Sequence, residues 1–154
     1  MPQPLLDLDL PAVPESAPAA RQAATEALRE VPVDRDAVLV MISEAVANCA
    51  LHAYPAGEAP GRVRVHAEVV EGALDVVVSD DGVGIESHPE SDGLGLGVPL
   101  MDDLADDVNV EAGGGTRVTA RFELFGPAGP HGRRVPRSLG RARQRLNQLL
   151  RPGR

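Results

Sequence analysis

The feature that most constrains this chain is an apolar stretch, DAVLVMISEAVANCALHAYP at residues 36 to 55, that includes a carboxylate and an amide. Asp34 before it and Pro55 at its end are suited to begin and end a helix. Glu44, Asn48 and His52 recur at intervals of four, so a helix places them within about 80° on one face. Burying an unpaired carboxylate is costly, and a divalent cation or a proton-donating substrate would offset that cost. A hydrogen-bonded core helix without a ligand is the alternative, and this segment alone leaves both open.

Strand-like segments surround this helix. Residues 62–70 alternate, with Val63, Val65, Ala67 and Val69 on one face, and EG at 71 and 72 predicts a hairpin to ALDVVVSD at 73–80. LLDLDL at 5–10 predicts a first strand. Residues 15–29 predict a first helix, whose leading acidic residues and trailing arginines complement the helix dipole. A short helix is predicted at 98–104, and a last hairpin pairs about 107–111 with 115–124 across AGGG.

Two glycine-rich segments lie near predicted strand ends. Asp80 falls on the apolar face of its strand, directly before DGVG, where glycines allow tight turns and close approach of a ligand. GLGLG at 93–97 precedes the short helix, so its backbone N–H groups would face a bound anion. Either signal alone is weak, because Asp and Gly are also the ordinary residues of turns.

Charge divides the chain near residue 125. Residues 1–125 carry 7 arginines and 23 acidic residues, a net −16, whereas 126–154 carry 8 arginines and no acidic residue. An acidic body with few aromatic residues argues against direct nucleic-acid binding. The single cysteine excludes an internal disulfide, and the sequence lacks a secretory leader or a membrane-length apolar run, so a cytoplasmic location is expected.

The composition of the C-terminal segment differs from that of the rest of the chain and predicts a separate extension. The domain is expected to span 1–125, followed by an Arg-, Pro- and Gly-rich extension at 126–154. Within the extension, an amphipathic stripe comprises Leu139, Ala142, Leu146, Leu149 and Leu150. It could bind an acidic partner, an anionic membrane or the chain's own acidic body, or remain a solvated extension, and the sequence leaves these alternatives open.

The order of these motifs resembles the histidine-kinase-like ATPase superfamily: EAVANCALHAY as the N box, DDGVG and GLGLGVPLMDDLAD as two glycine boxes, and GGGTRV closing the site. The resemblance covers most of residues 5–125. The residues EAVAN and HAY of the N box are most similar to those of bacterial anti-sigma-factor serine kinases. The resemblance implies an α+β fold of the Bergerat ATP-binding type. This is a two-layer α/β sandwich with a mixed, mostly antiparallel sheet and helices on one face.

The resemblance also implies roles for individual residues. Glu44 would act as the catalytic base, Asn48 would bind Mg²⁺, and Asp80 would bind the adenine amino group with support from Thr116. ATP would further contact the two glycine boxes, at Gly82, Gly84, Gly93, Leu94, Gly95, Leu96 and Gly97. His52 is expected to be a packed helix-end histidine rather than a ligand, and Cys49 a small buried hydrophobe.

The leading functional hypothesis is a protein serine/threonine kinase of the anti-sigma type. It would bind ATP and Mg²⁺, sequester a sigma factor and phosphorylate an antagonist of the STAS type. The chain has no lysine to neutralise a γ-phosphate, so transfer would rely on Mg²⁺, backbone amides or arginine. The main alternative is an ATP-gated binding module without physiological phosphotransfer, and a structural role without nucleotide is a third. Residues 5–10 would suit an exposed edge, and by analogy with relatives a homodimer through that edge stays open.

Overall fold

A computed structural model describes residues 3–53, 59–82, 101 and 103–125 of the chain. Its elements are five strands and two helices, in the following order: β1 (Leu6–Pro11), α1 (Ser16–Ala27), α2 (Arg35–His52), β2 (Arg62–Val70), β3 (Ala73–Asp80), β4 (Asp107–Ala112) and β5 (Thr116–Glu123). Met101, Asp103 and Leu104 are also helical, within the predicted short helix at 98–104, whose other residues lie outside the described part. Among the described residues, no helix is long and apolar enough to cross a membrane.

The strands form one sheet in the order β1-β2-β3-β5-β4. Every described pairing is antiparallel, so the mixed sheet that was expected is antiparallel throughout the described residues. The predicted α+β class, with its sheet and helical layer, is confirmed. β3 lies at the centre between β2 and β5, so the residue at its end, Asp80, lies close to segments of both neighbours.

Alternation along the strands separates a helix-facing side from an open side. Val63, Val65, Val76, Val78 and Ala120 are at most 1% exposed, and they pack with α2 in the core. Val69, which was predicted on the same apolar face of β2, is 42% exposed. The last β1 pair lies at Ala67, so Val69 is beyond the end of the neighbouring strand. On the open side, Nη1 of Arg121 donates to both carboxylate oxygens of Asp75 across β3 and β5, at 2.9 and 2.8 Å.

The long helix α2 forms as predicted. The side chain of Asp34 accepts a hydrogen bond from the backbone N–H of Ala37 at 3.2 Å, which caps the helix. α1 is shorter than the predicted 15–29. It has neither an acidic residue in its first turn nor a basic residue in its last, so the predicted dipole complementarity was wrong. Glu15 is at the N-cap and Arg29 lies beyond the last turn, where it pairs instead with Glu26.

The hairpin between β2 and β3 turns through two residues with positive φ, Glu71 at 49° and Gly72 at 80°. This is the geometry of a type I′ turn, which suits the twist of a two-residue hairpin. Glycine adopts positive φ readily, whereas glutamate is strained there. The turn therefore forms despite an unfavourable residue at its first position.

Replacing Glu71 by Asn should stabilise the protein by about 0.5–1 kcal/mol, because Asn tolerates positive φ and Asn-Gly is the preferred type I′ pair. Denaturant unfolding of wild type, Glu71→Asn and Glu71→Ala measures the change. Glu71→Ala is the matched control, since it removes the same charge without the tolerance for positive φ. Equal stabilisation by both variants would show that charge, and not turn geometry, is responsible.

Candidate functional site

The site is built around Asp80, the last residue of β3. One oxygen of its carboxylate, Oδ1, accepts a hydrogen bond from the backbone N–H of Gly82 at 2.8 Å and another from that of Thr116 at 3.3 Å. The first bond shapes the turn after β3, and the second ties that turn to the start of β5. The carboxylate is therefore held in a fixed orientation by backbone groups from two segments.

Two glycines allow these segments to approach. Gly115 has a φ of +124°, and a Cβ added there would lie 2.1 Å from the carbonyl oxygen of Asp80. A Cβ added to Gly82 would lie 2.1 Å from the carbonyl oxygen of Ala53, at the C-terminal end of α2. Neither position has room for a side chain while the backbone stays in place. The glycines thus bring the end of β3 against both β5 and α2.

The thiol of Cys49 provides a second link between α2 and Asp80. Cys49 is 7% exposed, and its thiol lies close to the Asp80 carboxylate. Burial raises the pKa of the Cys49 thiol well above its ordinary value, and the negative charge of Asp80 raises it further. The neutral thiol is the form that can donate a hydrogen bond to the carboxylate.

Glu44 and Asn48 lie one helical turn apart on α2, and both are half-buried. Cys49 follows Asn48 directly, so the helix that carries this pair is the one joined to Asp80. The hydroxyl of Ser43, next to Glu44, donates to the carbonyl oxygen of Leu39 at 2.8 Å and is thereby satisfied within the helix. A carboxylate and an amide oxygen on one accessible helix face have the chemistry of a proton acceptor and a Mg²⁺ ligand.

The oxygen chemistry of this site fits Mg²⁺ that arrives with a nucleotide. Such an ion keeps several waters and phosphate oxygens and needs only one or two protein oxygens. The described residues contain no group of three or more His, Cys, Asp or Glu side chains placed to hold a metal. The amide oxygen of Asn48 is the protein ligand that the sequence predicted.

The structure brings together Asp80, Gly82 and Thr116 among the predicted site residues. The helix that carries Glu44 and Asn48 meets the same strand end through Ala53 and Cys49. The remaining predicted contacts lie outside the described residues: Gly84, Gly93, Leu94, Gly95, Leu96 and Gly97. The side chain of His52 is also outside, so its expected packing role stays a prediction.

Sequence reasoning missed three contributions to this site. Cys49 was correctly predicted to be buried, but its contact with Asp80 was not foreseen. Gly115 had a sequence signal in the triple glycine before β5, although only the structure shows which glycine meets Asp80. The contact of Gly82 with Ala53 also shows that this glycine is required by the protein's own packing, in addition to any approach of a ligand.

Comparison with known families agrees with this fold. A family model described as the histidine kinase-like ATPase domain matches residues 10–122. The chain belongs to this family. The match begins at the end of β1 and ends within the last residues of β5, so it contains both helices and the strands β2, β3 and β4 in full.

Individual relatives agree with the family assignment. An anti-sigma F factor from Clostridium novyi is 32% identical over 100 aligned positions, which cover 56% of this chain and 69% of the relative. A serine-protein kinase RsbW from Bacillus licheniformis is 32% identical over 101 positions, covering 56% of this chain and 62% of the relative. A crystal structure of the RsbU and RsbW domains of a Mycobacterium tuberculosis protein has a TM-score of 0.62 at 25% identity, covering 80% of this chain and 34% of that one.

Replacing Gly115 by Ala should destabilise the protein by more than about 2 kcal/mol, because the new Cβ collides with the Asp80 backbone in addition to straining φ. Gly113→Ala is the matched control, since Gly113 has a φ of +146° but nothing within 4 Å of an added Cβ. Thermal and denaturant unfolding measure both variants. An equal loss in the two would mean that the collision with Asp80 contributes nothing.

The free energy of unfolding should depend on pH through the ionisation of the buried Cys49 thiol. Its pKa is higher in the folded state than the ordinary value of 9.0, so the folded state keeps the proton that the unfolded state loses above pH 9. Stability from this group is complete below pH 9 and declines above it, by up to about 1.4 kcal/mol per pH unit. Urea unfolding of wild type and Cys49→Ala between pH 8 and 10 measures this, and parallel pH profiles would contradict it.

Proposed function

We propose that this protein is an anti-sigma serine/threonine kinase that uses ATP and Mg²⁺. The observation that carries the proposal is the junction at Asp80, where the end of the strand that would read adenine packs against the helix with Glu44 and Asn48. The helix α2 thus lies against the carboxylate proposed to bind the base, and it carries the two groups suited to phosphate chemistry. The relatives named above support the same class of activity.

Asp80 is proposed to recognise adenine through its second carboxylate oxygen. Because the N–H groups of Gly82 and Thr116 both donate to Oδ1, we assign Oδ2 to accept from the adenine amino group. The side chain of Thr116 shares the helix-facing side of β5 with Val118 and would support the base directly or through water. The fixed carboxylate lowers the ordering cost of binding.

Asn48 and Glu44 are proposed to act at the phosphate end. Asn48 would hold Mg²⁺ through its amide oxygen, and the bound ion would neutralise charge on the phosphates. Glu44, one turn earlier, would accept the proton from the attacking hydroxyl of a protein substrate. Glu44 is only half-buried, so part of this residue is open to an approaching hydroxyl.

The proposed partners are a sigma factor and an anti-anti-sigma protein of the STAS type, which would carry the phosphorylated Ser or Thr. The printed names of the relatives, anti-sigma F factor and serine-protein kinase, support this pair of roles. Phosphorylation adds about two negative charges at neutral pH. The phosphorylated antagonist would therefore be repelled by the acidic body of residues 1–125.

Replacing Glu44 by Gln should lower kcat for phosphorylation of a co-purifying STAS-type protein by at least about 100-fold, because the proton acceptor is lost. The dissociation constant for ATP should change by less than about threefold. Transfer of labelled γ-phosphate and nucleotide titration measure the two effects. Glu30→Gln, at an exposed position after α1, is the charge-matched control.

One outcome would contradict the role of Glu44, and another would contradict the kinase proposal itself. Full activity of Glu44→Gln would exclude Glu44 as the base. Failure of the wild type to label any partner, with ATP binding intact, would favour the ATP-gated binding module.

A further inference from the structure

One side of α2 is apolar without being buried. Leu51 is 64% exposed, a larger fraction than any other exposed large hydrophobic residue of the described chain. Val40 and Ala47 lie on the same side and are half-buried, as is Glu44 between them. These four positions fall within about 60° around the helix and extend over about 16 Å. We call them the α2 stripe.

The α2 stripe has the spacing of a helix-pairing seam. Val40, Glu44, Ala47 and Leu51 are separated by four, three and four residues, the alternation that places successive side chains against a second helix. Three of the four are apolar, whereas the opposite side of α2 is already buried against the core and α1. A helix with apolar residues on all sides is expected to be covered on all sides.

The C-terminal segment contains the same pattern. Leu139, Arg143, Leu146 and Leu150 are also separated by four, three and four residues, and again the second position is charged while the others are apolar. In a parallel alignment Leu139 faces Val40 and Arg143 faces Glu44, so the two charges are opposite in sign and paired. In an antiparallel alignment Arg143 faces Ala47, and Glu44 meets a leucine.

The point where the described chain ends favours the parallel alignment. The backbone N–H of Phe125 donates to the carbonyl oxygen of Pro32 at 2.7 Å, three residues before α2 begins. The chain therefore leaves the domain near the start of α2, at the end of the stripe marked by Val40. Residues 126–138 supply 13 residues, which can span about 43 Å when extended.

Charge favours contact between the segment and the body. The C-terminal segment carries 8 arginines and no acidic residue, while residues 1–125 sum to −16. Exposed acidic residues lie close to the point of departure, at Glu30, Asp36 and Glu123. Arginine stems can cover apolar surface while their charged ends remain near carboxylates.

We propose that residues 139–150 dock as a helix on the α2 stripe of the same chain, parallel to α2, with Arg143 paired to Glu44. The docking itself does not depend on the proposed function, but its consequence does. A segment that covers Glu44 would exclude the hydroxyl of a protein substrate. The extension would then be an internal inhibitor of phosphotransfer that a partner must displace.

Disulfide formation in the full-length chain tests the docking and its direction. In a Cys49→Ala background, Leu51→Cys with Leu150→Cys is the parallel pair, and Leu51→Cys with Leu139→Cys is the antiparallel pair. Under mild oxidation the parallel pair should form an intramolecular disulfide at least tenfold faster. Equal rates, a faster antiparallel pair or a predominantly intermolecular product would overturn the proposal.

A charge reversal tests the register. Arg143→Glu should slow formation of the parallel disulfide at least fivefold more than Arg141→Glu. The two changes are identical in charge, but in a helix Arg141 points about 160° away from Arg143. Equal slowing would show long-range attraction only and would overturn the pairing with Glu44. If Cys49→Ala does not fold, the same pairs are measured with Cys49 retained, since it is 7% exposed.

Deletion of residues 126–154 tests the consequence for activity. It should raise kcat/KM for phosphorylation of the protein substrate several-fold. An unchanged kcat/KM would overturn the inhibitory role. If neither form phosphorylates a partner, the proposed kinase function fails, while the disulfide rates still decide whether the segment docks.

Discussion

The site depends on how the carboxylate of Asp80 is held at the end of the central strand. Its Oδ1 accepts hydrogen bonds from the turn after β3 and from the first residue of β5, and its carboxylate also meets the thiol of Cys49 on α2. The adjoining turn and two segments distant in sequence, α2 and β5, therefore converge on one side chain. A carboxylate fixed in this way can select a ligand by geometry, because it does not need to reorient on binding.

Close backbone approach makes this convergence possible. Gly82 lies against the end of α2, and Gly115 lies against the backbone of Asp80 itself. Both contacts exclude a side chain, so glycine is needed there for packing before any ligand is considered. Gly82, the first glycine of DDGVG, thus has a packing role in the protein interior. It would also position the surface that a nucleotide meets.

Much of the fold could be predicted from the sequence because the strands show clear alternation. The bounds of β2 and β3 were predicted correctly, and the EG turn between them was recognised from its glycine. Local patterns could not show that Val69 lies beyond the end of β1, since this depends on the length of a neighbouring strand. The dipole prediction for α1 failed for a related reason, because its charged residues fall just outside the helix.

The candidate site was less accessible to sequence reasoning. Polar residues on an apolar helix and an acid before glycines pointed to Glu44, Asn48 and Asp80 as chemistry-bearing groups. The contacts among segments, such as Cys49 with Asp80 and Gly115 with Asp80, depend on tertiary packing that no spacing rule expresses. A sequence pattern can therefore indicate single site residues, whereas contacts between distant segments are seen only in the folded structure.

The central claim is that Asp80 reads the adenine of a Mg²⁺-bound nucleotide held against α2. Titration calorimetry of the full chain with ATP and with GTP, each with saturating Mg²⁺, tests it most directly when wild type and Asp80→Asn are compared. The account predicts that wild type binds ATP and prefers it at least tenfold over GTP, and that Asp80→Asn loses this preference while remaining folded. Absence of ATP binding by wild type, or an unchanged preference in folded Asp80→Asn, would contradict the account.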